Sequence, residues 1–362
     1  MEKNTLTRLD DAERIHTSDP ENMYSRIFDL PQQMTEALEI AKGWDIPVDD
    51  FSGVTGIVVV GMGGSAIGGD LVRTLSGSEL LIPFQVCRHY RLPEYVNDKT
   101  LVIASSYSGN TEETLAALDD ALGRKAMIVA ITTGGMLGEI AKLKDIPTAR
   151  IPAGLQPRAA IGYSFIPILI LLEKLGLFKN KAAQVTQTVA HLQSLRDGYS
   201  IAEPSEKNPA KQLALQMHGK IPIIYSGPTL TDVIGIRWKG QICENAKNMA
   251  FANNYSEFNH NELVGWSDTI AAHKDHFVVI HLKDAGDHPK ITRRMQIVRD
   301  IIEKQKVPVY EVESIGNNPL ERMFSLIQLG DFVSFYLAIL NEVDPTPVEA
   351  IETLKKALAD HR

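Results

Sequence analysis

From Gly56 onward, short runs of apolar and β-branched residues alternate with amphipathic stretches of helical periodicity. Strands that are apolar throughout are typical of a parallel sheet with helices on both faces. A second series of the same kind begins after Ser205, so the chain is predicted to contain one doubly wound, flavodoxin/Rossmann-like α/β architecture twice. The strand-like runs are 57–60, 84–87, 101–104, 127–132 and 148–151 in the first series, and 221–225, 277–282 and 307–312 in the second.

The length of 362 residues fits two such domains. We predict an N-terminal helical extension over 1–50, a first domain over 51–190, and a second domain over 191–362 that ends in an amphipathic helix. Turn-rich residues near Pro204 mark the end of the predicted linker.

Composition excludes several classes of protein. Hydrophobic residues make up 44% of the chain and charged residues 23%, as in ordinary soluble proteins. The net charge of −8 argues against nucleic-acid binding, which needs clustered Lys and Arg. The chain has only two cysteines, and residues 1–20 lack the apolar core of a signal peptide. Pro167 interrupts the apolar stretch 161–178. These features favour a cytoplasmic protein that does not bind a membrane.

The first strand is followed by a glycine-rich loop, 61–70, that leads into a helix. Glycines at this position let backbone N–H groups approach an anion at the helix N-terminus, which indicates a phosphate site. A nicotinamide dinucleotide site is a weaker interpretation, because it needs an acidic residue after the second strand, where this chain has Arg88. The glycines could instead serve only close packing of the helix on the sheet.

The third strand is followed by a loop of hydroxyl residues, 105–114. Because the carboxyl ends of neighbouring parallel strands share one edge of a sheet, this loop and the glycine loop could converge on one phosphate. The alternative is a helix cap, since Asn110 and Glu113 have the spacing of a capping box.

These two loops resemble the sugar isomerase (SIS) domain, and two such domains in a chain of this length resemble the bifunctional phosphoglucose/phosphomannose isomerase family. Three further segments support that resemblance. They are 157–163, similar to the family's arginine segment; 244–247, similar to its catalytic-base segment; and 257–262, similar to its histidine segment.

The resemblance implies an aldose–ketose isomerase that acts on a hexose 6-phosphate without a metal or other cofactor. It implies that Glu244 moves the proton, that His260 and a C-terminal lysine assist ring opening, and that Arg158 stabilises the enediolate. It also implies a homodimer with the active site at the interface, where His260 could serve the partner's pocket. The implied phosphate-binding residues are Gly63, Gly64, Ser65, Ser106, Ser108 and Thr111.

The local sequence around Glu244 and His260 bears on whether they are catalytic. At about 100° per residue, Glu244 lies roughly 200° from the apolar Ile242, so helical periodicity alone predicts a solvent-facing carboxylate. His260 lies in a polar run, 253–262, that is predicted to be a loop. A separate set of histidines, at 273, 276, 281 and 288, has spacings that match no common zinc motif.

The C-terminal helix carries two lysines. Helical periodicity puts Lys355 beside the stripe formed by Val348, Ile351, Leu354 and Leu358, which we expect to be buried, and puts Lys356 on the outer face. This favours Lys355 as the active-site lysine over Lys356. The resemblance also implies a threonine near the C-terminus that tolerates both configurations at C2 of the sugar, and Thr346 is the candidate.

We therefore predict reversible isomerisation of glucose 6-phosphate, mannose 6-phosphate or both with fructose 6-phosphate, through a cis-enediolate. The alternative is a non-catalytic SIS-type regulator that binds a sugar phosphate. Such a regulator would keep the hydroxyl loops but would not need Glu244, His260 or Lys355.

Overall fold

The computed structural model describes residues 8–77 and 79–359. These residues form two compact units, each made of segments that are not contiguous in the sequence. The first unit contains 29–194 and 316–324, and the second contains 8–28, 195–315 and 325–359. The domain boundaries predicted from the sequence stay a prediction.

The described strands form two all-parallel sheets. The first unit has the order β2-β1-β3-β4-β5 and the second the order β7-β6-β8-β9, so in both units the first strand lies between the second and the third. The strands are β1 (Gly56–Val60), β2 (Phe84–Cys87), β3 (Thr100–Ser105), β4 (Met127–Thr132), β5 (Thr148–Arg150), β6 (Ile221–Ser226), β7 (Phe251–Asn254), β8 (Phe277–Lys283) and β9 (Val309–Glu313).

Helices connect the strands, as a parallel sheet requires. They are α1 (Ala12–Ser18), α2 (Met23–Phe28), α3 (Leu30–Gly43), α4 (Gly63–Ser76), α5 (Glu112–Gly123), α6 (Gly135–Leu143), α7 (Ile161–Lys174), α8 (Lys181–Arg196), α9 (Pro209–Met217), α10 (Asp232–Ala246), α11 (Pro289–Lys304), α12 (Pro319–Leu340) and α13 (Glu349–Ala359). The prediction of two doubly wound α/β folds is confirmed.

The core of the first unit lies around β1 and β3, whose residues are all buried. Their register pairs Val60 with Ala104, so the two strands end side by side. The apolar helix α7 is buried along most of its length and packs against both α3 and α4. Helix α3 is therefore part of the first unit, although the sequence placed it in an extension.

The second unit contains one strand that the sequence did not predict. Strand β7 reads Phe-Ala-Asn-Asn, lies at the edge of its sheet and is partly exposed, so it lacks the apolar pattern of a central strand. Helix α12 is long and apolar enough to span a membrane, but most of its residues are buried inside the protein. It therefore has the character of a core helix in a soluble protein.

Candidate active site

The glycine loop brings the arginine segment against the start of α4. Gly63 has a positive φ of 49°, a conformation that glycine adopts without strain. A Cβ atom added to Gly64 would lie 2.4 Å from the carbonyl oxygen of Pro157. Pro157 begins the short 3₁₀ turn Pro157–Ala159, which carries the buried Arg158. The backbone of Arg158 therefore lies beside the first turn of α4.

Hydrogen bonds join the glycine loop to the hydroxyl loop. The backbone N–H of Tyr107 donates to Oγ of the buried Ser65 at 3.1 Å. Within the hydroxyl loop, Oγ of Ser106 lies 2.9 Å from Oγ1 of Thr111 and accepts a hydrogen bond from the N–H of Gly109 at 3.1 Å. The hydroxyl groups of the two loops thus gather at the adjoining carboxyl ends of β1 and β3.

That location is the topological switch point of the sheet, where the strand order reverses and where ligands of doubly wound folds bind. Helices α4 and α5 both begin there, and neither N-cap residue, Met62 or Thr111, forms a side-chain capping hydrogen bond. The N–H groups in the first turn of a helix lack partners within the helix and favour an anion. The edge therefore offers amides and hydroxyls to a phosphate.

The capping-box alternative is wrong for the hydroxyl loop. Helix α5 begins at Glu112 rather than after an Asn110 cap, and Oδ1 of Asn110 accepts from the N–H of Met136 at 3.0 Å. Ser108 is exposed, and its Oγ accepts a hydrogen bond from the N–H of Asn110 at 3.3 Å.

Close packing, the other interpretation of the glycines, explains a later part of the loop. A Cβ atom on Gly68 would lie 2.4 Å from the carbonyl oxygen of Ser164, and one on Gly69 would lie 2.8 Å from Cγ1 of Val59. These two glycines let α4 approach α7 and the sheet, whereas Gly63 and Gly64 shape the edge with the hydroxyls. The motif therefore serves both purposes at different positions.

The dinucleotide interpretation does not fit the end of β2. Arg88 follows that strand and forms an ion pair with Asp70 on α4. A guanidinium held at this position replaces the carboxylate that would bind the ribose of NAD.

The corresponding edge of the second unit carries carboxylates beside its hydroxyl groups, one of which, Oγ1 of Thr231, accepts a hydrogen bond from the N–H of Gly227. A Cβ atom on Gly227, after β6, would lie 2.5 Å from Oδ1 of Asp287. The N–H of Asp284, after β8, donates to Oδ2 of Asp287 at 2.9 Å, and burial raises the pKa of the Asp287 carboxyl. Acidic groups at this edge disfavour a phosphate, so the candidate phosphate site lies in the first unit.

Glu244 lies in the last turn of α10 and is half-buried. The prediction that it faces solvent is therefore only partly correct. The physical reason is that α10 contacts β6, β7 and α12, so the helix is partly covered beyond its apolar stripe.

Buried polar side chains on the last turns of α10, near Glu244, join this helix to α12. The guanidinium of Arg237 donates to both carboxylate oxygens of Asp331, at 2.7 and 2.9 Å, and the amide of Gln241 donates to the same carboxylate at 2.7 Å. One turn further on, Asn245 donates to Oγ of Ser334 at 2.9 Å. Because buried pairs of this kind tolerate little displacement, they fix the backbone that carries Glu244.

His260 ends the short 3₁₀ turn Glu257–His260 and is exposed. The turn is anchored by Phe258, whose ring stacks on Tyr225 with centroids 4.1 Å apart. The carboxylate of Glu262 accepts hydrogen bonds from the Tyr225 hydroxyl at 2.5 Å and from the Asn253 amide at 2.6 Å. An exposed imidazole thus projects from an anchored loop.

The C-terminal helix differs from its prediction in burial. Helix α13 forms as expected, but Ile351, Leu354 and Leu358 are 41%, 59% and 56% exposed, so the apolar stripe is not buried. Lys355 and Lys356 are both exposed as well. The reason is that amphipathic periodicity indicates an apolar face but does not supply a surface to cover it. Thr346, in the loop before α13, is buried, and its N–H donates to Asp344.

The other histidines have separate environments. His281 is buried in β8 and lies 3.3 Å from the Tyr255 hydroxyl, whereas Nδ1 of His288 accepts from the N–H of Lys290 at the start of α11. The rings of His273 and His276 have centroids 6.3 Å apart. Within residues 8–77 and 79–359, no group of three or more His, Cys, Asp or Glu side chains could hold a metal ion.

The first unit brings together six of the predicted residues, which are Gly63, Gly64, Ser65, Ser106, Thr111 and Arg158. Glu244, His260 and Lys355 belong to the second unit.

Tyr107 was not among the predicted site residues, although it lies inside the hydroxyl loop. Its hydroxyl donates to the carbonyl of Pro152 and accepts from the N–H of Leu155, both at 2.9 Å, which ties the loop to the segment before the arginine turn.

The chain matches a family model and is similar to individual proteins from other organisms. A family model described as "Bacterial phospho-glucose isomerase C-terminal SIS domain" matches residues 206–358. The "Bifunctional phosphoglucose/phosphomannose isomerase" of Caldicellulosiruptor bescii is 49% identical over 338 residues, which cover 93% of this chain and 99% of that protein. The protein of the same name from Aquifex aeolicus is 35% identical over 336 residues, covering 91% and 100%.

Solved structures agree on the fold. The tagatose-6-phosphate ketose/aldose isomerase from Escherichia coli superposes with a TM-score of 0.70 at 15% identity, covering 90% of this chain and 95% of that one. Because the close relatives are named as enzymes, they give no support to a non-catalytic regulator.

Proposed function

This chain belongs to the bifunctional phosphoglucose/phosphomannose isomerase family. We propose that its two units supply different catalytic and substrate-binding residues to the isomerisation reaction. The chain is an isomerase that interconverts glucose 6-phosphate and mannose 6-phosphate with fructose 6-phosphate.

The hydroxyl edge of the first unit binds the phosphate of the substrate. The observation that carries this assignment is the convergence of Ser65, Ser106 and Thr111 with the Arg158 turn at the β1–β3 switch point. Ser108 and the amides of Gly63 and Gly64 complete the set. Local hydrogen bonds are needed here because a net charge of −8 repels an anionic sugar at long range.

Glu244 transfers the proton between C2 and C1. Its carboxylate takes the proton from C2 of the open-chain aldose, and the electrons of that C–H bond form the C1–C2 double bond of a cis-enediolate. The proton on O2 moves to O1, and returning the carbon-bound proton to C1 then gives the ketose, so one base serves both directions. Arg158 stabilises the negative oxygen of the enediolate, as a buried guanidinium can in a site that excludes water.

His260 and Lys355 assist ring opening, which must precede proton transfer. Both side chains are exposed in the single chain, which agrees with a homodimer in which a partner closes the active site. The exposed apolar stripe of α13 supports the same assembly. Buried Thr346 is the candidate for tolerance of both C2 configurations. Two free cysteines support a cytoplasmic location.

Glu244→Gln tests the assignment of the base. The variant should fold normally and lose turnover by roughly 10²- to 10⁴-fold, and it should no longer exchange the C2 proton of the substrate with deuterated water. Glu206→Gln, a change at an exposed carboxylate in the same unit, is the matched control and should retain both activities. Normal exchange by Glu244→Gln would refute its role as the base.

Mixed dimers test the interface. Glu244→Gln and His260→Ala are each expected to be inactive, but a dimer with one chain of each contains one intact site if His260 serves the partner's pocket. Mixing the two proteins, with subunit exchange verified by mass spectrometry, should restore activity. Lack of restoration would show that both residues act in the same chain.

Retention of activity in a chelator is expected for chemistry that needs no metal.

A further inference from the structure

The 3₁₀ turn Pro157–Ala159, the arginine turn, contacts α4 at Gly64 and is also held by a residue of α3. Gln33 is 6% exposed, and its side-chain Nε2 donates to the carbonyl oxygen of Ala159 at 2.7 Å. Its Oε1 accepts a hydrogen bond from the N–H of Gly162, also at 2.7 Å. Ala159 ends the turn that carries Arg158, and Gly162 lies in the first turn of α7. One amide therefore joins the end of the turn to the beginning of the helix.

Local sequence explains why a remote residue is needed there. The N-cap of α7 is Ala160, whose side chain cannot accept a hydrogen bond. The first N–H groups of a helix have no partner within it, and leaving one buried without an acceptor is unfavourable. Gln33 supplies that acceptor from outside. A Cβ atom at position 162 would lie 2.8 Å from Oε1 of Gln33, so the glycine makes room for the amide.

The placement of Gln33 is not explained by the packing of α3. Its buried neighbours on that helix are apolar, among them Met34 and Ala37. A buried amide costs free energy unless its donor and acceptor are both used, and here both are. The other side of the same turn lies against Gly64, where the Pro157 carbonyl leaves no space for a Cβ atom. Residues 157–159 are thus held between α4 and Gln33.

We propose that Gln33 is a positioning residue that holds the Arg158 turn against the phosphate loops. This inference rests on the role proposed above for Arg158. It also gives a function to part of the N-terminal segment, which carries no recognisable motif. Gln33 does not touch the substrate; it acts through the backbone of the turn that carries the guanidinium.

Gln33→Met tests the proposal, because methionine has a similar length but neither donates nor accepts as an amide does. It should lower kcat/KM for fructose 6-phosphate roughly 10- to 100-fold, in line with the effect of a small misplacement at an active site. In an Arg158→Ala background, Gln33→Met should cause no further fall. Gln32→Met is the matched control, because it makes the same change at an exposed amide of the same helix. Its kcat/KM should stay at the wild-type value.

The outcomes separate the proposals. If Arg158→Ala lowers activity but Gln33→Met leaves kcat/KM unchanged, or lowers it equally in both backgrounds, the positioning role of Gln33 is refuted and that of Arg158 stands. If Arg158→Ala has no effect, the proposed role of Arg158 fails and the inference about Gln33 fails with it. Should Gln33→Met unfold, Gln33→Glu provides the same test, because its carboxylate accepts from Gly162 but cannot donate to Ala159.

Discussion

The hydroxyl groups of Ser106 and Thr111 lie 2.9 Å apart, one at the end of β3 and the other at the start of α5. Each can keep the other oriented and still share a hydrogen bond with a phosphate oxygen. We expect Ser106→Ala and Thr111→Val each to raise KM for fructose 6-phosphate roughly tenfold, which is about 1.4 kcal/mol, with a smaller change in kcat.

The double variant Ser106→Ala/Thr111→Val tests whether the two hydroxyl groups act as a pair. Because the two hydroxyls share one hydrogen bond, the combined rise in KM should be smaller than the product of the two single effects. Steady-state kinetics of the four proteins give this comparison. Thr35→Val is the control, since that hydroxyl bonds only to the carbonyl of Pro31 in its own helix. Fully multiplicative effects of Ser106→Ala and Thr111→Val would mean that the hydroxyls act independently.

Gly64→Ala should disrupt the contact between α4 and the arginine turn. The added methyl group would lie 2.4 Å from the Pro157 carbonyl oxygen, so the turn must move. Overpacking of this kind costs about 1–3 kcal/mol, and displacing Arg158 should lower kcat/KM as well. Thermal unfolding and steady-state kinetics measure the two effects.

Gly43→Ala provides the matched control. Gly43 lies at the end of α3, and a Cβ atom there has no neighbour within 4 Å. This change should leave activity unaltered and should not lower stability, since alanine has the higher helix propensity. A Gly64→Ala protein that behaves like Gly43→Ala would contradict the proposed contact.

The fold was predictable because its central strands are apolar on both faces. Strands β1 and β3 have no exposed residue, so their hydrophobic runs stand out in the sequence. Strand β7 escaped prediction because an edge strand needs no such run. The burial of α13 was predicted incorrectly, since the periodicity of Ile351, Leu354 and Leu358 shows that they share a face but not what covers it.

The site was predictable only where chemistry and sequence position coincide. The glycine and hydroxyl loops each follow a strand directly, so their convergence could be inferred from the parallel topology. Gln33 could not be found in the same way, because its partners lie 126 and 129 residues further along the chain. Both bonds are made to backbone atoms, and a single glycine at position 162 does not indicate which distant residue it makes room for.

The two C-terminal lysines should differ in function although both are exposed. Lys355 adjoins the apolar stripe of α13, whereas Lys356 lies on the opposite side of the helix. If that stripe is covered in the dimer, Lys355 lies at the edge of the covered surface. Lys355→Met should then lower kcat by roughly 10²-fold, and Lys356→Met should have wild-type kinetics. The reverse result would assign ring opening to Lys356.

Burial of His281 should make the second unit sensitive to acid. Burial, with smaller contributions from the positive charges of Arg299 and Lys283, lowers the pKa of His281 from 6.5 to about 3. The unfolded chain therefore binds this proton more readily than the folded one, and stability is lost as the pH falls from about 6.5 towards 3. The expected loss from this group is about 1.4 kcal/mol per pH unit, or about 2–3 kcal/mol at pH 4.5.

His281→Gln removes the titrating ring but keeps a polar side chain of similar size beside Tyr255. Urea unfolding near pH 7 and near pH 4.5 should show a free energy of unfolding that depends less on pH in the variant than in the wild type. Comparing the change with pH, and not the absolute stability, removes any packing effect of the substitution.

Tyr255→Phe is the control, because it deletes the hydroxyl 3.3 Å from Nε2 of His281 but leaves the histidine buried. It should therefore keep the wild-type pH dependence, because burial is the main cause of the lowered pKa. An unchanged pH dependence in His281→Gln would show that other groups control the acid sensitivity.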